Sequence, residues 1–251
     1  MGFVNMTDIY PIRFSKAQLD SAPEKERLFY LMICQLANDL NCLSKLIIIA
    51  ANPIKGHEIK NIASTMMCWF LVKLLAGKLN EGWELIKSDF FPLYKKYENE
   101  FSDEEKKKLK ELKKYFGKKN IIYEMRNKFS FHADQKMIRH GYQILPEGDY
   151  VDFLSVYAGH CIYLTSETIT TLAMTKMVES EDWKEAVNKI TGEIMQVTGW
   201  MGDFILDFIK IFAIKYIAQK IDVKDKITFE DSPDILSIEI PFFSNPPNKF
   251  A

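Results

Sequence analysis

The sequence is poor in the residues that mark the commonest enzyme chemistries. It holds four cysteines and four histidines in 251 residues. Cys34, Cys42, Cys68 and Cys161 stand apart in apolar surroundings and form no Cys-x2-Cys pair. Buried thiols of a reducing compartment are therefore expected, in place of disulfides or zinc ligands. His132 and His140 have no carboxylate at a partner spacing on a defined helix, which argues against a metal site. There is no P-loop, no Gly-x-Gly-x-x-Gly and no Gly-x-Ser-x-Gly, so nothing points to a phosphate cradle, a dinucleotide fold or a nucleophile turn. No internal repeat is visible, and no cofactor is expected. The net charge of −1 provides no global field to recruit nucleic acid, so any basic surface must be local. Apolar runs are broken by Asn38, Asp39, Lys45, Asp207 and Lys210 before any reaches the eighteen uninterrupted residues of a clear membrane span. The start, Met1 to Asp8, lacks the basic-then-apolar order of a secretory signal, and Gly2 begins only a faint myristoylation-like pattern. A cytoplasmic chain without membrane contact is expected.

Apolar residues make up 47% of the chain, enough for a sizeable core. They recur mostly at helical spacing. Residues 1–19 read as an arm, extended around Pro11. Ser21, Pro23 and Glu24 read as the capped start of a helix that runs to about Ala51. A second helix is expected from about His57 to Lys87, with Ile59, Ile62, Met66, Phe70 (with Trp69) and Leu74 as its buried stripe. That Met- and aromatic-rich face reads as core and not as a cofactor pocket, and His57 as an exposed starting residue. Phe90-Phe91-Pro92 should break the element.

Ser102 with Asp103, Glu104 and Glu105 reads as an N-cap followed by an acidic first turn. Eight lysines come next, from Lys106 to Lys119. They form either a solvated face or a phosphate-contacting surface with Tyr115 and Phe116 free to stack on bases. After Gly117 a further helix is expected from about Lys119 to His132, and a less regular stretch from Ala133. Val151–Tyr157 and Cys161–Leu164 could form a short hairpin about Ala158-Gly159. Helices follow over Ser166–Val178, Glu181–Gln196 and Phe204–Lys220, with an interruption at Gly199–Gly202. Leu236–Ile240 alternates like a strand that Pro241 ends and that pairs with the hairpin. Asn245–Asn248 should be flexible. The whole reads as mainly α, one domain over 1–251, with a bundle core at about 20–180 and C-terminal helices and an extended tail at 181–251.

The stretch most charged with chemistry is Glu124-Met125-Arg126-Asn127-Lys128-Phe129-Ser130-Phe131-His132. Ile121, Ile122, Met125 and Phe129 form its apolar stripe, and an Arg and a His beside a buried face are expensive unless paired or used. On one straight helix Arg126 and His132 would sit about 120° apart around the axis and about 9 Å apart along it. They would not meet side by side unless the helix ends near His132 or a symmetric dimer brings two such pairs together.

Arg126-Asn127 followed by His132 resembles the R-x4–6-H motif of the HEPN superfamily, and the position of the motif after two long helices fits it. The resemblance spans about residues 20–180. It implies an antiparallel helical bundle, here with a small β-hairpin or strand appendage, and a metal-independent ribonuclease of toxin–antitoxin, abortive-infection or antiviral systems. It also implies a homodimer that joins Arg and His at a cleft, and an antitoxin or regulatory partner. On that reading His132 is the general base or acid, Arg126 binds the scissile phosphate and Asn127 positions phosphate or imidazole. Ser130, Lys128, Lys118 and Lys119 contact the RNA substrate. The alternative is a non-catalytic helical protein in which Arg126 and His132 are structural, and which binds a protein partner or a nucleotide. His140 and His160 read as structural in either case.

Overall fold

The structure is a computed structural model describing residues 7–54, 56–131, 134–180, 182–217, 226–229 and 232–244. The fold is mainly α, with a small two-stranded sheet. Strand β1 is Thr7–Ile9. The helices are α1 (Lys16–Asp20), α2 (Glu24–Ala50), α3 (Glu58–Leu85), α4 (Tyr94–Tyr97), α5 (Asp103–Phe116), α6 (Ile121–Met125), α7 (Gln135–Gln143), α8 (Leu164–Thr175) and α9 (Trp183–Phe212). Strand β2 is Ile227–Phe229, antiparallel to β1 with Asp8 opposite Thr228. The backbone contacts fall into two units, each assembled from three separate stretches of chain. Helices α2, α3 and α9 each contribute a length to both.

The first unit comprises the chain up to Cys42, Lys78–Lys119 and Gln196–Ser237. Its interior is a cluster of aromatic rings around Phe90. Phe204, Phe29 and Phe208 have ring centroids 5.1, 5.4 and 5.6 Å from it. A π-turn at Ile86–Phe90 ends α3 and places Ile86 and Phe90 inside. One carboxylate, Glu26, lies in this interior at 1% exposure. It accepts Lys96 Nζ at 2.9 Å, Tyr97 OH at 2.7 Å and Tyr216 OH at 2.6 Å. A buried charge needs such donors to offset its lost hydration.

The second unit comprises Leu43–Gly77, Asn120–Met195 and the chain from Ile238. Here α7 packs directly on α8. The approach is close because Gly141 has no side chain: a Cβ there would come within 2.2 Å of the Ile169 carbonyl oxygen. Gly141→Ala must push the two helices apart and should cost about 1–3 kcal/mol, the range for overpacking a close contact. Denaturant unfolding of the variant checks it. Asp152 Oδ1, from the preceding loop, accepts the Thr165 N–H at 2.8 Å in the first turn of α8. Asp152→Ala should lower stability by about 1 kcal/mol, as loss of a helix cap does, read from the same unfolding curves.

Several expectations need correction. Ser21 does not start α2. Its N–H reaches back to the Ala17 carbonyl and its hydroxyl donates to the Gln18 carbonyl at 2.6 Å, so it closes α1. Part of the expected arm is thus strand β1 and helix α1. The buried face of α3 is Ala63, Val72, Leu75, Ala76, Leu79 and Trp83, whereas Ile59 and Phe70 are 45% and 55% exposed. This helix is apolar on every side, so spacing alone selects no face. The stretch after Ala133 is regular: α7 starts at Gln135, and the Asp134 carboxylate takes the N–H groups of Lys136 and Met137 at 2.8 and 3.2 Å.

The glycines at 199 and 202 do not interrupt α9. Both face open space, and Val197, Met201 and Phe204 on the other side are buried, so packing outweighs the roughly 1 kcal/mol that a helical glycine costs. Leu236 is not in a strand. Asp234 accepts the Leu236 N–H on its side chain at 3.0 Å and the Ser237 N–H on its carbonyl at 2.8 Å, which winds Ile235–Ser237 into a 3₁₀ turn. The observed strand pair is β1 with β2, and of the expected hairpin a single antiparallel bridge, Phe153 to Ile162, is formed.

The cysteines are free, but none is fully buried, and Cys42 is exposed. Two helical stretches, Glu24–Ala50 and Glu58–Phe90, are long and apolar enough to cross a membrane by length and composition. Their most apolar windows are 17% and 39% buried. Lys220, Asn245 and Asn248, where a helix end and a flexible tail are expected, lie outside the described residues.

Candidate functional site

The motif segment begins at a cap. Asn120 Oδ1 accepts the Tyr123 N–H at 2.8 Å, and Glu193 Oε1 takes the Ile121 N–H at 3.2 Å. Ile121, Ile122 and Met125 are buried, as their spacing requires. After Met125 the helix widens into a π-turn over Arg126–Ser130. Such a turn inserts one residue and rotates everything beyond it, and π-turns inside α-helices recur at functional sites. The straight-helix geometry expected for the motif is therefore not kept past Met125.

Within this turn Arg126 and Asn127 come together. Arg126 Nη1 donates to Asn127 Oδ1 at 2.9 Å, and both residues are half-buried. Lys128 pairs with Glu124, one turn earlier. The Ser130 hydroxyl lies 2.6 Å from the Lys73 carbonyl oxygen and 3.2 Å from that of Met125. Its single hydrogen goes to the nearer, so Ser130 ties the turn to α3. The Phe131 ring is 61% exposed yet lies over Gly77, where a Cβ would come within 3.0 Å of it. Lys73 and Gly77 thus seat the end of the motif. Sequence reasoning missed both, and a glycine inside an apolar helix was the only signal.

His132 lies outside the described residues. Lys118 and Lys119 are exposed in the loop after α5 and belong to the first unit. The aromatic residues expected to be free beside the lysine run are occupied. Tyr115 is 8% exposed, and Phe116 stacks on Trp83 at 5.0 Å and 7°. The reason is the period of α5, which turns Leu109, Leu112 and Tyr115 inward. Two of the lysines are also engaged: Lys108 with Asp203 at 2.8 Å, and Lys113 over the Phe91 ring at 5.5 Å. Lys107, Lys110 and Lys114 remain exposed.

His160 is half-buried, with Nε2 accepting the Ser244 N–H at 3.3 Å and its ring against Phe243. His57 is exposed at the start of α3. Among the described residues, no group of three or more His, Cys, Asp or Glu is placed to hold a metal ion.

Arg126 and Asn127 can present a planar cationic fork and a neutral amide to an anion from a single turn of helix. Comparison of the chain with known protein families, curated proteins and solved structures finds no match to any of them.

Proposed function

We propose that the chain is a metal-independent endoribonuclease of the HEPN type, acting in the cytoplasm as a toxin or antiviral effector. The observation that supports this is the Arg126–Asn127 pair, held half-buried in a π-turn within the motif that resembles the family's. An arginine is permanently charged and matches two phosphate oxygens at once. It stabilises the extra negative charge that builds on phosphorus as RNA is cut.

In this reading neutral His132 draws the proton from a ribose 2′-hydroxyl. The 2′-oxygen attacks phosphorus, the bond to the 5′-oxygen breaks, and an acid returns a proton to that oxygen. The products are a 2′,3′-cyclic phosphate and a 5′-hydroxyl. Asn127 orients the guanidinium by the bond at 2.9 Å. A second copy of the chain, in a homodimer, supplies the acid. Lys128 contacts the RNA backbone. The Ser130 hydroxyl, donated to the Lys73 carbonyl, holds the turn in place. An antitoxin or regulatory protein keeps the activity in check.

Expression of the wild-type chain beside Arg126→Ala and His132→Ala tests the reading. Growth arrest with fragmented total RNA is expected for wild type alone. Intact RNA and normal growth in all three would contradict it.

A further inference from the structure

The second unit contains a cavity of about 930 Å³, open on one side, between the beginning of α3 and α8. It falls within the range of cavities that hold small organic ligands. The expected core stripe of α3 explains its origin: Ile62, Met66 and Trp69 face this opening and not a neighbouring helix. Leu164 and Leu172 of α8 and Trp183 of α9 complete an apolar wall.

The charges on the wall have one sign. Glu58 and Glu167 line it, and no Lys or Arg does among the described residues. Such a lining provides no Lys or Arg to pair with a phosphate or carboxylate. Glu167 Oε2 is buried and accepts no hydrogen bond among the described residues, while Oε1 is 3.8 Å from Lys73 Nζ, beyond hydrogen-bonding range. The Glu167 side chain lines the cavity at 28% exposure, and its ion pair with Lys73 is loose, so an ammonium group in the cavity would add a second and closer cation beside the carboxylate. Tryptophan faces attract a cation by their quadrupole, in addition to the apolar contact they make.

We propose that this cavity is a binding site for an apolar organic cation, an aromatic or alkyl amine, whose ammonium group pairs with Glu167 and whose apolar body lies against Trp69 and Trp183. The site is separate from the Arg126 motif and does not depend on the nuclease reading. Calorimetric titration of the full chain with three probes that share one ring system tests it: 1-naphthylmethylamine, the neutral 1-naphthalenemethanol and the anionic 1-naphthoate. The amine should bind at least about tenfold tighter than the alcohol, the loss expected when a charge-assisted hydrogen bond is missing, and the naphthoate should give no binding. Glu167→Gln should weaken the amine about tenfold and leave the alcohol unchanged. Trp183→Ala, at a half-exposed position that tolerates truncation, should weaken amine and alcohol alike. Equal affinity for amine and naphthoate, an unchanged amine affinity in Glu167→Gln, or no heat with any probe on a chain whose circular dichroism is helical would overturn the proposal.

Discussion

On the proposed nuclease reading, replacing His132 by Ala is expected to slow RNA cleavage by about 10²- to 10⁴-fold, the usual worth of a positioned general acid or base. Arg126→Ala should lower the rate by a comparable factor, about 10²- to 10³-fold, because it removes charge stabilisation that acts only as phosphorus gains an oxygen. The two losses should not multiply, since each residue is useful only with the other in place. Arg126→Lys should recover a small part of the loss: lysine keeps the charge but not the planar fork that bonds Asn127 Oδ1 and matches phosphate oxygens two at a time. Asn127→Ala should act more weakly and chiefly on the rate constant, because it removes one bond to the guanidinium and leaves the charge in place. Single-turnover cleavage of a labelled RNA by the purified chain separates these effects, with thermal melting of each variant as the control. Unchanged rates in His132→Ala would remove the histidine from the chemistry.

Glu26→Ala is expected to lower the stability of the first unit by about 2–4 kcal/mol, chiefly the cost of leaving two tyrosine hydroxyls without an acceptor, since Lys96 is exposed and rehydrates. The carboxylate is 1% exposed and accepts three donors. Its loss leaves the Tyr97 and Tyr216 hydroxyls without their acceptor, opens a void and frees Lys96. The same bonds set a pH dependence. Burial alone would push the Glu26 carboxyl up, but the hydroxyls of Tyr216 and Tyr97 and the Lys96 ammonium outweigh it and hold it below the ordinary glutamate value. The folded-state pKa is thus lower than the unfolded one, so the contribution is complete above the unfolded pKa of about 4.3. It is lost as pH falls through the lower folded value. Wild type should therefore lose stability as the pH is lowered below about 4.3, and Glu26→Gln should begin lower and fall less steeply. On the other side, burial and the Glu26 bond push the Tyr216 hydroxyl up to about 12, so these donors stay protonated through the neutral range. Urea unfolding of wild type and Glu26→Gln at pH 3 to 8 reads both slopes.

The long helices were legible in the sequence because their apolar spacing is regular. So were the Ser102 cap and the break at Phe91-Pro92. The structure of α3 shows where pattern reading stops. A helix apolar on all sides has no face to choose, so Ile62, Met66 and Trp69 were assigned to a core when they line a cavity. Spacing also gave no warning of the π-turn at Arg126–Ser130, since its buried anchors, Met125 and Phe129, keep the four-residue step of an ordinary helix. Gly199 and Gly202 misled in the other direction: two glycines near Trp200 look like a hinge, but the packed face of α9 carries the helix through them. Within the candidate site the neighbours Arg126 and Asn127 could be read from sequence. The bond from Ser130 to the Lys73 carbonyl joins residues 57 apart and left no trace in the pattern.

The central claim is that Arg126, Asn127 and His132 cut RNA without a metal. The most direct measurement is the chemistry of the ends produced when the purified chain acts on a defined single-stranded RNA in EDTA. The account predicts fragments with a 2′,3′-cyclic phosphate and a 5′-hydroxyl, formed by wild type and not by His132→Ala. Fragments with a 5′-phosphate, or cutting that His132→Ala retains in full, would contradict it.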